Sequence, residues 1–184
     1  MPLSGDTIFR LRAATLADQP AIRRLIEDSV RGLASADYSA AQVESSLAHL
    51  FGVDTRLIED GTYFVVESEG ELVGAGGWSR RRTLFGGNQF ADRSDDRLDP
   101  SIDAARIRAF YVATTFARRG IGTTLLEACE AAARSEGFRR LELMATLTGI
   151  PLYERAGFRV VEPAEVRLPD GVAIPLTRMV REIA

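Results

Sequence analysis

Hydrophobic and polar residues follow two different periods in the first third of the chain. Residues 8–12 alternate apolar and basic side chains, as a half-buried strand does. Apolar residues then recur at helical intervals over 22–30, and a capping box at 39–42 opens a second helix that ends near Leu50. Asp54 is suited to cap a short third helical turn. The pattern predicts one strand followed by three helical segments.

The remaining pattern predicts six more strands and two more helices. Residues 62–68 and 72–79 are rich in β-forming side chains and meet at a tight Glu69-Gly70 turn, and 104–112 is the next strand. The later elements are a helix over 120–136, a strand over 139–145, a short helix over 151–156, and strands over 158–168 and 172–181.

Residues 80–103 lack any period and are predicted to form a long loop. The segment contains three consecutive arginines at 80–82, the pair Gly86-Gly87, and four aspartates at 92, 95, 96 and 99. Loops of this length are usually functional or mobile. We interpret the segment as a lid over the site where the second substrate binds.

Composition narrows the class of protein. The 184 residues suffice for one sizeable domain, predicted to span 1–184, and 46% hydrophobic with 27% charged residues is typical of a globular chain. A net charge of −3 gives no drive toward nucleic acid or an anionic membrane, and no apolar run approaches the about 20 residues of a membrane span.

Terminal and reactive residues refine this picture. Residues 1–12 lack the basic and apolar regions of a signal peptide, and the single cysteine, Cys129, cannot form an internal disulfide. Both features favour a cytoplasmic location. All 23 basic residues are arginine, so lysine chemistry is excluded, and no set of metal ligands is predicted.

Residues 118–126 form a glycine-containing turn that leads into an amphipathic helix. Amide groups at a helix N-terminus have no intrahelical partner and bind pyrophosphate well. Gly120 and Gly122 let the backbone approach such a group, and Arg118 and Arg119 add positive charge. The segment lacks the lysine of a P-loop and the third glycine of a dinucleotide fingerprint, where Leu125 stands. A plain helix start with a flexible turn is the alternative.

The stretch 107–158 resembles the core of the GNAT-family N-acetyltransferases, whose signature is Gln/Arg-x-x-Gly-x-Gly/Ala at a helix start. The order of elements over nearly the whole chain is also similar. Ala117 departs from the signature's first position. The resemblance implies that backbone amides hold the pyrophosphate of acetyl-CoA, and that the end of the preceding strand pairs with the pantetheine arm. The implied residues are Arg118, Arg119, Gly120, Ile121, Gly122 and Thr123 for the pyrophosphate, and Phe110, Tyr111 and Val112 for the arm.

The resemblance also implies a catalytic acid. Many family members place a tyrosine ahead of x-x-x-Gly-Phe, which matches Tyr153 before Gly157-Phe158 here. The alternative is that Tyr153 only packs its ring against the sheet. Thr146 and Gly149 replace residues that the family often has, so side-chain contacts to the cofactor in that segment stay open.

A general base is harder to identify. Some relatives have a glutamate on the strand before the phosphate turn, where this chain has Arg106-Ile107-Arg108, and arginine cannot take a proton at neutral pH. A water chain or a carboxylate elsewhere is required, with Glu67, Glu142 and Asp37 as candidates. His49 reads as a surface or capping residue, and Cys129 as a core residue, so no covalent intermediate is expected.

In the family the acceptor usually lies against the first two helices and their joining loop, here 32–39. Asp37 and Tyr38 are therefore candidate acceptor-binding residues. Arginines of the third and fourth strands are expected near the same cleft, where they could bind an anionic acceptor or pair with the four loop aspartates. These are Arg80, Arg81, Arg82, Arg106 and Arg108.

The sequence thus predicts an α/β, GNAT-like fold with a mixed, mostly antiparallel seven-stranded sheet flanked by helices. The expected activity is transfer of the acetyl group of acetyl-CoA to a primary amine of a small molecule or peptide, by direct attack in a ternary complex. The alternatives are a non-catalytic acyl-CoA sensor and a nucleotide-binding regulatory domain. A homodimer is an expectation from the resemblance, and no nucleic-acid or membrane partner is expected.

Overall fold

The computed structural model describes residues 7–183, whose strands and helices follow the predicted order. The elements are β1 (Arg10–Ala13), α1 (Gln19–Leu33), α2 (Ala40–His49), α3 (Thr55–Glu59), β2 (Tyr63–Ser68), β3 (Glu71–Ser79), β4 (Ala105–Val112), α4 (Ile121–Ser135), β5 (Arg140–Thr146), α5 (Ile150–Arg155), β6 (Arg159–Arg167) and β7 (Ala173–Glu182). β1 begins later than predicted, and Ile8 is 81% exposed rather than half-buried.

The seven strands form one sheet in the order β1-β2-β3-β4-β5-β7-β6. Every neighbouring pair is antiparallel except β4 and β5, so the predicted mixed, mostly antiparallel sheet is confirmed. The parallel ladder between β4 and β5 has only two registered pairs, Ala105 with Leu141 and Arg106 with Glu142. Beyond them the two strands diverge and leave a V-shaped opening in the middle of the sheet.

Helices cover both faces of the sheet. On one face, apolar residues of α1, α2 and α3 such as Ile22 and Leu57 pack in one core cluster with Val65 of β2. On the other face, Leu126 and Cys129 of α4 pack against Leu143 of β5. Cys129 is fully buried in this second core, and burial raises the pKa of its thiol, so the prediction of a core cysteine is confirmed.

A β-bulge changes the direction of side chains in β4. Arg108 pairs with Gly77 and Tyr111 with Ala75, so Ala109 and Phe110 together oppose the single residue Gly76. Ala109 has a positive φ of 56°, as bulge residues often do. The extra residue shifts the alternation, so Arg108 before the bulge and Tyr111 after it both face the α1 side of the sheet.

Candidate active site

The V-shaped opening between β4 and β5 leads into a cavity of about 720 Å³. One end reaches the N-terminus of α4 and the short helix α5, and the other end reaches α1 and the segment that follows β3. Residues that line these parts include Gly120, Tyr153, Leu33, Phe51 and Phe85. The cavity therefore crosses the sheet and connects its two faces.

The turn that precedes α4 offers free backbone donors to the cavity. In the described part of the chain, none of the amides of residues 118–123 donates a backbone hydrogen bond, and the first helical bond of α4 runs from Thr124 N to Gly120 O at 3.0 Å. Arg118 and Gly120 both have positive φ, of 63° and 84°. Such a turn directs successive N–H groups toward one point, which is a geometry that binds anions.

The two glycines of this turn differ in their surroundings. A side chain at Gly120 would meet nothing within 4 Å, so glycine is needed there for the backbone conformation. A Cβ at Gly122 would lie 2.9 Å from Leu152 Cδ2. Gly122 therefore allows α4 to pack closely against α5, and it also lines the cavity, so its role in phosphate approach stays a prediction.

Of the two arginines beside the turn, only Arg118 lines the cavity. The guanidinium of Arg119 lies 5.0 Å from the centre of the Phe116 ring, an arrangement typical of a cation–π contact. Arg155 of α5, which the sequence analysis did not select, lines both this cavity and a second pocket beside α4. Arg155 is thus a further cation at the same end.

Phe110, Tyr111 and Val112 lie along the edge of β4 that β5 has left. All three line the cavity, and the Val112 amide donates a 3.3 Å hydrogen bond to Ser29 Oγ of α1. The ring of Phe110 packs edge-on against Tyr153, with 6.1 Å between ring centres. This edge is where an extended ligand could pair with the strand.

Tyr153 is 7% exposed and lines the cavity from α5. Its ring is held between Phe110 and Phe158. A Cβ added at Gly149 would lie 3.2 Å from Tyr153 Cε2, so the glycine leaves room for the ring. Burial raises the pKa of the Tyr153 phenol above its usual value, so the hydroxyl is protonated at neutral pH. A group in this state can donate a proton and cannot act as a base.

Arg108 enters the cavity wall as a buried, fully engaged cation. Its guanidinium donates to Asp54 Oδ2 (2.8 Å), to Gly86 O (2.6 Å) and to Thr83 O (3.1 Å), and Arg93 donates to the other oxygen of Asp54 at 2.8 Å. Through its bonds to Thr83 O and Gly86 O, Arg108 fixes residues 83–87 as a wall of the cavity. Arg108 is placed at the cleft as predicted, but its partners are Asp54 and two carbonyls and not the four loop aspartates.

The structure does not bring the other candidate acceptor-binding residues into the cavity wall. Tyr38 is buried, and its hydroxyl donates to Pro175 O (2.7 Å) and accepts from Leu147 N (2.9 Å). Asp37 accepts a hydrogen bond from Thr148. Arg80 pairs with Glu136 and lies over Trp78, and Arg106 pairs with Glu142.

Two of the three candidate bases, Glu142 and Glu67, are engaged in ion pairs. Glu142 accepts from Arg106 and Arg178, and Glu67 accepts from Arg12 at 2.6 Å. His49 stands 3.6 Å from Asp170 at the surface, in agreement with the non-catalytic interpretation. Among the cavity-lining residues of the described chain there is no aspartate, glutamate or histidine.

Several wall residues escaped the sequence analysis. Phe51 and Phe85 lie in segments without a signature. Asp54, which lies behind the wall as the partner of Arg108, was assigned only a capping role, which it also has toward Arg56 N (3.2 Å). Their positions depend on contacts between segments 30 to 60 residues apart along the chain. The pair Gly86-Gly87 was the one local sequence feature that indicated a functional role for this part of the wall, and both glycines line the cavity.

The fold agrees with the comparisons to known proteins. The sequence matches the acetyltransferase (GNAT) family over residues 27–158. The chain belongs to this family of acetyltransferases. No helix in the described range 7–183 is long and apolar enough to cross a membrane, and within that range no group of three or more His, Cys, Asp or Glu residues is placed to hold a metal ion.

Similar proteins include one sequence relative and two solved structures. The uncharacterized N-acetyltransferase YjgM of Escherichia coli (strain K12) is 29% identical over 158 residues, which covers 84% of each chain. A GCN5-related N-acetyltransferase from Rhodopseudomonas palustris has a TM-score of 0.70 at 21% identity, covering 97% of this chain and 99% of that one. The PaiA N-acetyltransferase of Thermoplasma acidophilum, solved with coenzyme A, has a TM-score of 0.64 at 13% identity over 95% and 99% of the two chains.

Proposed function

We propose that this chain transfers the acetyl group of acetyl-CoA to a primary amine by direct attack in a ternary complex. The observation that carries the proposal is the set of unpaired amides at 118–123, which open onto the same cavity as Tyr153. The family membership and the coenzyme A bound to the PaiA structure support the choice of ligand.

The cofactor would be bound along the opening in the sheet. The amides of residues 118–123 and the guanidinium of Arg118 hold the pyrophosphate at the N-terminus of α4. The pantetheine arm pairs with the free edge of β4 at Phe110–Val112, and the thioester then lies near the bulge at Ala109. This path places the acetyl group where the cavity passes from one face of the sheet to the other.

The chemistry needs the Tyr153 phenol and a water molecule. The amine nitrogen attacks the thioester carbonyl, the C–N bond forms, and the C–S bond breaks to release coenzyme A. Tyr153 donates its phenolic proton to the leaving thiolate, and the amine loses its extra proton to water. Since Cys129 is buried in the core and does not line the cavity, the attack is direct.

The variant Tyr153→Phe tests the role of the phenol. Because the ring keeps its contacts with Phe110 and Phe158, affinity for acetyl-CoA should be unchanged. Loss of the proton donor should lower kcat by about 100-fold or more, as measured by thiol release. Tyr38→Phe is the matched control, since this phenol is buried outside the cavity, and its kcat should stay within about threefold of the unchanged protein.

Two outcomes would contradict the proposal. If Tyr153→Phe retained full turnover, the phenol would be a packing residue only. If the unaltered protein bound acetyl-CoA but released no thiol with any amine, it would be a sensor of acyl-CoA and not an enzyme.

A further inference from the structure

The end of the cavity on the α1 face is an apolar chamber next to one buried cation. We define the acceptor chamber by the cavity-lining hydrophobic residues that also belong to or pack against the core on this face: Val30, Ala34, Phe51, Phe85, Ala109, Tyr111 and Met144. Phe51 and Tyr111 meet edge-on with 6.4 Å between ring centres. The chamber lies across the sheet from the phosphate turn, so it is the part of the cavity left to the second substrate.

The charges around this chamber are unsuited to an ammonium ion. Arg108 and Arg93 share the single carboxylate of Asp54, so the network keeps one net positive charge beside the chamber. Burial lowers the pKa of Arg108, but the three oxygen atoms that it contacts keep the guanidinium protonated. A nearby positive charge and an apolar wall both favour the neutral form of a bound amine.

The chamber also lacks a group that could remove a proton from an ammonium ion. Burial raises the pKa of the Tyr111 phenol, as it does for Tyr153, so neither phenol is a base at neutral pH. Arg118 and Arg155, the remaining charged residues of the cavity wall in the described chain, lie at the α4 end. Two carboxylates outside the wall are engaged by wall residues: Asp54 is held by Arg108 and by Arg93, and the exposed Asp37 accepts a hydrogen bond from Thr148.

We propose that the acceptor chamber selects weakly basic amines, of which an appreciable fraction is neutral at physiological pH, and that these amines carry an uncharged, apolar side chain. The α-amino group of a peptide or amino acid amide has these properties, whereas a lysine-type alkylamine does not. The inference rests on the proposed acetyl transfer and adds the class of acceptor to it. Deprotonation is then a property of the acceptor in solution and not of a residue of the enzyme.

The two kinds of amine differ strongly in the fraction that is neutral at pH 7. An α-amino group has a pKa of about 8 and a lysine-type amine one of about 10.4, so at pH 7 roughly 10% of the first and less than about 0.1% of the second is neutral. If the enzyme binds only the neutral form, kcat/KM for two such acceptors with the same side chain should differ by about 200-fold at pH 7.

The test compares three acceptors with acetyl-CoA from pH 6 to 9.5, reading thiol release. Phenylalanine amide and 2-phenylethylamine share the phenyl group and differ in basicity, and glutamic acid α-amide has the α-amine with a charged side chain. We expect kcat/KM for phenylalanine amide to level off near pH 8, while that for 2-phenylethylamine rises tenfold per pH unit past pH 9. Glutamic acid α-amide should be at least about tenfold poorer than phenylalanine amide, because its side chain cannot be buried in the chamber.

The possible failures are distinguishable. A common break in the pH profiles of both phenyl acceptors would show that an enzyme residue acts as the base, and would overturn this inference while leaving acetyl transfer intact. A kcat/KM for glutamic acid α-amide equal to or above that for phenylalanine amide would overturn the proposed preference for an apolar side chain. Absence of thiol release with every acceptor at every pH would instead contradict the proposed function itself.

Discussion

Gly120 and Gly122 stand two residues apart, yet a side chain would have a different effect at each. At Gly120 the obstacle is the backbone, whose φ of 84° disfavours any residue with a Cβ, and at Gly122 it is the side chain of Leu152. Only the first position sets the direction of the amides that are proposed to hold the pyrophosphate. Of the two glycines, Gly120 is therefore the one whose substitution we expect to weaken cofactor binding through the backbone.

Gly120→Ala should reduce both stability and affinity for acetyl-CoA. The strain of a Cβ at this φ costs about 1–2 kcal/mol, and relief of that strain would turn the amides away from one another. We expect affinity for acetyl-CoA, measured by calorimetry, to fall by at least about tenfold, equivalent to about 1.4 kcal/mol.

Gly70→Ala is the matched control for this substitution. Gly70 has a φ of 83° in the β2–β3 turn, and a Cβ there also meets nothing within 4 Å. It should lose a similar amount of stability in urea unfolding while keeping its affinity for acetyl-CoA. An equal loss of affinity in both variants would mean that the effect at Gly120 is one of stability alone.

At the scale of elements, the segment between β3 and β4 is held in place by Asp54 and by main-chain bonds. Gly87 N donates to Leu50 O (2.8 Å), and Asn88 N donates to Val53 O (3.0 Å), so the segment docks on the connection between α2 and α3. Arg108 reaches it from β4. The segment is a wall of the cavity in this conformation, and its opening as a lid stays a prediction that hydrogen exchange with and without ligand would test.

Asp54→Ala should therefore affect both stability and the acceptor site. Removal of the carboxylate leaves Arg108 buried without an anion, and breaking such a pair costs about 3–5 kcal/mol in urea unfolding. The KM for the acceptor should rise, whereas the KM for acetyl-CoA should change little because the α4 end is untouched.

Arg93→Ala provides the comparison for Asp54→Ala. Its side chain is 20% exposed, and its loss leaves the Asp54–Arg108 pair intact. We expect a cost of no more than about 1 kcal/mol, as is usual for a partly exposed ion pair. Equal losses in the two variants would contradict the central role of the buried pair.

The elements also show why sequence predicted some parts of the site and not others. The turn at 118–123 and the tyrosine ahead of Gly157 are encoded locally, so a short motif identified them. The bulge at Ala109 has no such signal, because residues 104–112 follow an ordinary strand pattern and the bulge depends on pairing with β3. The partner of Arg108 is 54 residues away, and only the fold brings Asp54 to it.

At the scale of the whole molecule, the site follows from one interruption in the sheet. Two registered pairs join β4 to β5, and beyond them the sheet opens into a cavity with donors at one end and an apolar chamber at the other. Because the two ends lie on opposite faces, the proposed cofactor and acceptor would enter from different sides and meet near the bulge. The order of elements along the chain and the mixed, mostly antiparallel sheet could be expected from the family resemblance, whereas the charge and polarity of the chamber could not.

The account depends most on the binding of the cofactor diphosphate by the amides at the start of α4. The most direct test is isothermal calorimetry with acetyl-CoA and with S-acetylpantetheine, which has the same thioester but no diphosphate. We predict that acetyl-CoA binds with a Kd between about 1 μM and 1 mM and that S-acetylpantetheine binds at least about tenfold more weakly. Equal affinities, or no heat with millimolar acetyl-CoA, would contradict the account.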